Sequence, residues 1–543
     1  MTRFNFNPHE IENKTFLVVD DFGDMRGMLR SMLTSIGVGE IDTAINGREA
    51  VEALEQKHYD IVLCDYHLGP GKNGQHVLEE ARFRQLIGLD AVFVMITAEN
   101  TREMVMGAVE YEPDSYLTKP FTKDLLKARL EKLVIKRQDL REVELAVSAR
   151  EYEKAVRMLD EKIAGRPKNL GELTKQKAEI LYSAGEYEQA SAVYEQILAV
   201  REMPWAKLGL GKIFYATGRL QEAVSMFEGL LQDNQRLIAA YDWLARTLRA
   251  QSRGVEAQDV LQRAVALSPK AILRQKALGE LAAVNGDNKA AEHALTQAVK
   301  LGHNSVYKAP ENYANLARAK LRCGNGREGL KILNNMEKEF KGADKSSLHA
   351  AMVKGIIHKD LGDREEAEVW MRQASELYQG LGPHVTADLT LDMARSYGEL
   401  GDQEKAQSML KNAVRNNHSD PELLQKVEGL IGELSLNLDP KSFVSGIRKQ
   451  IIKLNNRGVK MAKAGQLQEA VELFSEAVDA MPGNKVVSLN TARVMIMNIR
   501  EQGANREQLG KVRELLERVQ KADPNDPALR KVQAMYQDLG QRA

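Results

Sequence analysis

The chain has 543 residues and a mass of 60.7 kDa, which at roughly 150 residues per domain implies several domains or a repeat array rather than one core. Lys+Arg and Asp+Glu both total 76, for zero net charge, and 43% of residues are apolar, a balance unlike that of a dedicated nucleic-acid binder or a disordered tail protein. Cys64 and Cys323 match no zinc or disulfide spacing, and no apolar run approaches the roughly 18 residues of a membrane span.

Residues 1–13 read as an N-terminal extension, and their opening MTRFNFNPHE lacks the basic-then-apolar plan of a signal peptide, so a cytoplasmic protein with no membrane association is expected. Over residues 14–136 short apolar runs alternate with amphipathic stretches. Thr15–Asp20, Ile41–Ile45, Ile61–Cys64, Ala91–Ile96 and Ser115–Thr118 read as buried strands, with helices near 24–36, 47–57, 74–87, 101–111 and 122–136. Five β-α pairs in order imply a doubly wound parallel sheet, in which ligands collect at the carboxyl ends of the strands. At that rim stand Asp20-Asp21, Asp65, Thr97 and Lys119-Pro120, the last a candidate for a cis peptide. Clustered carboxylates repel unless a cation joins them, and Mg²⁺, a hard ion with oxygen ligands, suits Asp20, Asp21 and Asp65. The loop Gly69–Gly74 (GPGKNG) is expected not to follow a strand and open a helix as a phosphate-binding GxxxxGK[ST] loop does, and reads as a flexible connection.

Leu126, Leu133 and Leu140 recur at seven-residue spacing into a helical linker at 137–150, which allows either a coiled-coil seam in a homodimer or one helix packed on the first repeat. Beyond it a helical pattern continues to the C-terminus. An alanine followed four residues later by a large apolar residue recurs as Ala190/Tyr194, Ala223/Phe227, Ala257/Leu261 and Ala291/Leu295, at steps of 33, 34 and 34 residues. Glycines five residues before the alanines (Gly185, Gly218, Gly286, Gly362, Gly401, Gly465) mark turns, and small residues twelve before them (Ala178, Gly211, Ala245, Gly355, Ala394, Gly458) let paired helices approach. Ten units are expected: an array over 151–420, an irregular helical connector over 421–450 that could split the array in two, and further units over 451–543. Inserts such as Gly302–Pro310 lengthen individual loops. Residues 1–145 hold 25 acidic and 18 basic residues, and the +7 left for the remainder is too dilute to imply nucleic acid. Trp205, Trp243 and Trp370 read as packing residues, and His76, His293, His303, His358 and His384 show no metal or triad spacing.

The repeat marks resemble the tetratricopeptide repeat, most closely in Lys453–Pro482 with Gly458, Gly465, Ala470, Phe474, Ala477 and Pro482 in place. That resemblance implies an all-α solenoid with a concave groove. Asn312, Asn315, Asn455 and Asn456 lie in first helices, where amides could clamp the backbone of a protein or peptide ligand. The rim set, covering about residues 12–136, resembles the receiver domain of two-component response regulators, chemotaxis regulators included, which implies a flavodoxin-like α/β fold. By that resemblance Asp65 is the phosphoacceptor, Asp20, Asp21 and Asp65 hold Mg²⁺, Lys119 pairs with a phosphoryl oxygen, Thr97 donates its hydroxyl to it, and Tyr116 is the aromatic switch. His67 and Glu99 fall where family members tune dephosphorylation.

With no DNA-binding motif, cyclase or phosphodiesterase signature or ATPase motif in the remainder, the expected output is recognition. The chain reads as a phosphorylation-controlled response regulator, served by a sensor histidine kinase or phosphotransfer protein and acting through protein binding by its repeats. Catalysis beyond its own phosphorylation and hydrolysis is not expected. The alternative is a constitutive scaffold or phosphate sink whose receiver serves for docking.

Overall fold

The computed structural model describes residues 11–88, 91–98, 113–382, 385–503, 506–524 and 526–540. The helix expected at 101–111, with Glu99 and His384, lies outside these residues. The chain divides into two compact units, residues 1–319 and 320–543.

In the first unit, strands β1 (Thr15–Val19), β2 (Glu40–Ala44), β3 (Ile61–Asp65), β4 (Val92–Thr97) and β5 (Ser115–Thr118) form one parallel sheet in the order β2-β1-β3-β4-β5. Side chains alternate across it, so each central strand feeds two cores. Phe16, Val18, Leu63, Val94 and Ile96 meet helix α1 (Gly23–Ser35) and the start of α4 (Lys123–Ser148) on one face. On the other, Leu17, Val19, Val62, Cys64 and Phe93 meet α2 (Gly47–Gln56) and α3 (Gly74–Phe83). Helix α3 stops short of the expected residue 87. Gln85 takes a positive φ of 55°, the Leu86 amide donates to Ala81 O at 2.8 Å, and Leu86 and Ile87 fold back onto the core, so their apolar character reflects packing after the helix end.

Helix α4 is one uninterrupted element of 26 residues. Its Leu126, Leu130 and Leu133 pack under the sheet, while Leu140, Val143 and Ala146 pack on Ala155 and Leu159 of the following helix, Tyr152–Ala164. The seven-residue stripe is therefore buried within the chain, and the helix that the sequence left open as a dimer seam serves two intramolecular cores.

From α4 onward the described elements are all helices, and within each unit they pack mainly on their neighbours in sequence, as an all-α repeat fold requires. The six turn glycines all adopt φ between 77° and 87°, where a side chain would be strained. The small first-helix residue seats the large second-helix one. A β-carbon at Gly458 would fall 2.5 Å from Phe474 Cε2, and one at Gly355 3.0 Å from Met371 Cγ. Residues 421–450, expected as an irregular helical connector, form helix Pro421–Glu433 and the first half of the 24-residue helix Pro440–Lys463. Leu423, Val427, Val444 and Ile447 belong to one core running from Leu391 to Val532, so the buried packing continues through the connector. No helix among the described residues is long and apolar enough to cross a membrane.

Candidate phosphoacceptor site

The sheet order brings the ends of β1, β3 and β4 together, and the residue after each buried run is polar. Asp20 follows β1 and is fully buried. Its Oδ1 accepts from the Phe22 amide at 2.9 Å, its carbonyl from Arg26 Nη1 at 2.6 Å, and its Oδ2 from Lys119 Nζ at 2.9 Å. Asp65 ends β3, 6% exposed, with Oδ1 2.9 Å from the same Lys119 Nζ. Asp21 is exposed and completes a set of carboxylates, each with an oxygen within 4.8 Å of the others. Burial pushes the Asp65 carboxyl above its ordinary range, opposed by Lys119 and reinforced by Asp20 and Asp21. Burial alone would lower the Lys119 ammonium, but its bonds to Asp20 and Asp65 raise it.

Three converging carboxylates, one open to solvent, are hard oxygen donors for a small divalent cation, and the neighbouring like charges give a reason to bind one. These residues fit Mg²⁺.

Lys119 is held from both sides. Its amide donates to Thr97 O at 2.8 Å, and the Lys119-Pro120 bond is cis. Thr97 is the buried last residue of β4. Tyr116, paired with Met95 in the β4–β5 register, is half-buried against the α2–α3 core. His67 is exposed, edge-on to Tyr66.

The loop between Asp65 and α3 differs from expectation. It does follow a strand and open a helix, and it is tied down. Lys72 forms an ion pair with Glu80, and Asn73 caps α3 with its side chain accepting from the His76 amide at 2.9 Å. Gly74 has no room for a side chain, since a β-carbon would overlap the Asp65 carbonyl oxygen, and its amide donates to Tyr66 O at 2.9 Å. The loop still lacks the lysine-hydroxyl ending of a phosphate-binding loop, so that chemistry stays excluded on its residues.

The four asparagines differ in their local surroundings. Asn312 is 3% exposed and its Nδ2 donates to Tyr307 O at 2.9 Å, a loop-holding role that takes it out of any groove. Asn315 Nδ2 lies 3.3 Å from Glu280 Oε1, Asn455 Oδ1 accepts from Asn490 at 2.7 Å, and Asn456 is exposed. Trp205 and Trp243 pack on Tyr194 and on Tyr215 and Phe227, and Lys354 Nζ lies 4.3 Å from the ring centroid of Trp370. Sequence reasoning missed Arg26, which gives no signal beyond its helical position, and Glu79, a buried carboxylate of α3 whose partner Ser305 lies 226 residues away.

Comparison with known proteins is consistent with this geometry. Residues 16–131 match the family model of the response regulator receiver domain, and residues 181–247, 461–536 and 348–380 match tetratricopeptide repeat models. Chemotaxis protein CheY-3 of Vibrio cholerae is 33% identical over 122 residues, 22% of this chain and 92% of that protein. Chemotaxis protein CheY of Pseudomonas aeruginosa is 31% identical over 117 residues, 22% of this chain and 93% of that one. Among solved structures, Vibrio cholerae chemotaxis protein CheY4 matches at 24% identity and a TM-score of 0.21, covering 22% of this chain and 98% of that one.

Proposed function

Since the chain belongs to the response regulator receiver family and carries tetratricopeptide repeats in its remainder, we propose that it is a phosphorylation-controlled regulator that accepts a phosphoryl group on Asp65 and acts through protein binding by its repeats. The observation that carries the reading is Lys119 Nζ, 2.9 Å from both Asp20 and Asp65, beside the third carboxylate of Asp21. A carboxylate oxygen of Asp65 attacks the phosphorus of a phosphohistidine on a sensor kinase or phosphotransfer protein. The P–N bond breaks, the imidazole leaves with the electron pair and takes up a proton, and Asp65 becomes an acyl phosphate. Attack by water on phosphorus later returns the carboxylate and inorganic phosphate. Such transfers depend on positioning and charge neutralisation. Asp20, Asp21 and Asp65 would hold Mg²⁺, whose charge offsets that of the phosphoryl oxygens. Lys119 exchanges its Asp65 contact for a phosphoryl oxygen while keeping Asp20 as anchor. Thr97 donates its hydroxyl to the phosphoryl group, and its inward movement leaves space for the Tyr116 ring to turn, shifting the face beside β5 only as far as the phosphorylated state favours it.

The test is intact-mass measurement after incubation with phosphoramidate and Mg²⁺. One labile phosphate per chain is expected, absent without Mg²⁺ and absent in Asp65→Asn. No label under conditions that modify a control receiver would overturn the reading in favour of a constitutive scaffold, as would Asp65→Asn binding its partners with undiminished response to the kinase.

A further inference from the structure

The insert Gly302–Pro310, between helices Asn288–Gly302 and Pro310–Arg322 of the array, returns to the receiver some 230 residues earlier in the chain. Asn304 Nδ2 donates to Gly71 O at 3.1 Å, in the loop between Asp65 and α3. Ser305 Oγ donates to Glu79 Oε2 at 2.7 Å, and Ser305 and Glu79 are 7% and 3% exposed. The Tyr307 ring stands edge-on to Phe83 at the end of α3, with centroids 6.2 Å apart. The insert is shaped for this contact. Its Tyr307 amide donates to Ser305 Oγ at 3.2 Å, and Asn312 holds the Tyr307 carbonyl from below at 2.9 Å.

A glutamate at mid-helix on a receiver surface would ordinarily be hydrated, and burying its carboxylate is costly without donors. Glu79 receives the Ser305 hydroxyl of the insert at 2.7 Å and, more weakly, the Gln75 amide of its own helix at 3.4 Å. On the receiver side the contact is joined rigidly to the acceptor: Gly74 abuts the Asp65 carbonyl, and the loop cation Lys72 is engaged by Glu80 one residue beyond Glu79.

We propose that the loop Gly69–Gly74 and helix α3 form an interaction surface whose partner is the chain's own 303–307 segment, and that phosphorylation of Asp65 opens this clasp. The inference rests on the phosphoacceptor reading. A phosphoryl group on Asp65 replaces the single charge of the carboxylate by close to two, a net gain of about one negative charge carried further out beside the loop, and competes with Glu80 for Lys72. Drawing Lys72 toward Asp65 shifts Gly71, its neighbour, off Asn304, and the loss of that hold weakens the Ser305–Glu79 bond. The segment held by Asn312 is freed from the receiver, which makes the insert the route from acceptor to array.

The experiment is hydrogen–deuterium exchange of the full chain with and without beryllofluoride and Mg²⁺, a stable phosphoryl mimic, alongside phosphoramidate labelling read by intact mass. Peptides over 302–310 and 69–84 are expected to exchange roughly tenfold faster with the mimic, the scale of one lost charge-assisted hydrogen bond, and not to respond in Asp65→Asn. Ser305→Asp, which sets a second carboxylate against Glu79, and Asn304→Ala should open the same peptides without the mimic while other repeats keep their protection. Labelling at Asp65 with unchanged exchange at 302–310 would overturn the clasp and leave the phosphoacceptor reading intact. Unchanged exchange at 69–84 in Ser305→Asp would likewise overturn the clasp. A chain that takes no phosphoryl group overturns both, and the missing mass increment distinguishes that failure.

Discussion

At the scale of single residues, three carboxylates and one ammonium make an unequal set. Lys119 bridges Asp20 and Asp65, and Asp21 stands exposed beside them. Without a cation the excess negative charge works against the folded rim, so adding Mg²⁺ should stabilise the wild-type receiver by mass action, by about 2.7 kcal/mol at a hundredfold excess over its dissociation constant. Asp21→Asn removes one repelling charge and one donor together. It should resist heat better than wild type in chelator and gain much less from Mg²⁺. Thermal unfolding with and without the ion checks this, and equal gains in the two proteins would take Asp21 out of the metal site. The rim was legible in the sequence because each member is a polar residue that ends an apolar run. The Glu79–Ser305 contact was not, because 226 residues separate its partners and an exposed helix face and a covered one look alike in one dimension.

At the scale of elements, α3 shows how a cap couples to pH. His76 Nδ1 accepts from the Asn73 amide at 3.2 Å, closing the capping box with the Asn73 side chain. Burial, with Lys72 nearby and Glu80 opposing, brings the imidazole down from 6.5 to about 4. Between those values the unfolded chain binds a proton that the folded one refuses, so stability rises with pH through that window, is full above about 6.5 and is lost toward 4. Protection of α3 amides, corrected for intrinsic exchange rates, should fall from pH 6.5 to 5 in wild type and stay nearly flat in His76→Gln, at a constant loss of cap stability. Identical slopes would remove His76 as the titrating group. Element boundaries show where pattern reading stops. The stripe Leu126, Leu133, Leu140 was visible, but heptad spacing does not tell a seam between chains from one helix that closes two cores in succession. The GPGKNG loop read as flexible from its glycines, whereas what holds it are Lys72–Glu80, the Asn73 cap and Asn304.

At the scale of the whole molecule, a repeat array has no single centre, and its stability is a sum over units and their neighbours. The period of 33 or 34 residues over 190–295 was readable because the same steric solution recurs, a small residue on the first helix facing a large one on the second, as at Gly211/Phe227 and Gly279/Leu295. The continuity of the core through 421–450 was not, since Leu423, Val427, Val444 and Ile447 keep packing where the motif residues lapse. Phe474, fully buried over Gly458, tests this logic. Phe474→Ala should cost about 3–5 kcal/mol by leaving a cavity. Gly458→Ala should cost as overpacking does, about 1–3 kcal/mol, because its new methyl meets the ring. If the two residues form one steric pair, the double variant Gly458→Ala/Phe474→Ala loses less than the two singles together, since the methyl partly fills the space the ring vacates. Denaturant unfolding of all four proteins gives the coupling. Strict additivity would mean that the pair does not set the helix spacing, and the rise in amide exchange should stay within the Leu391–Val532 core, because that is the span over which neighbouring units share buried contacts.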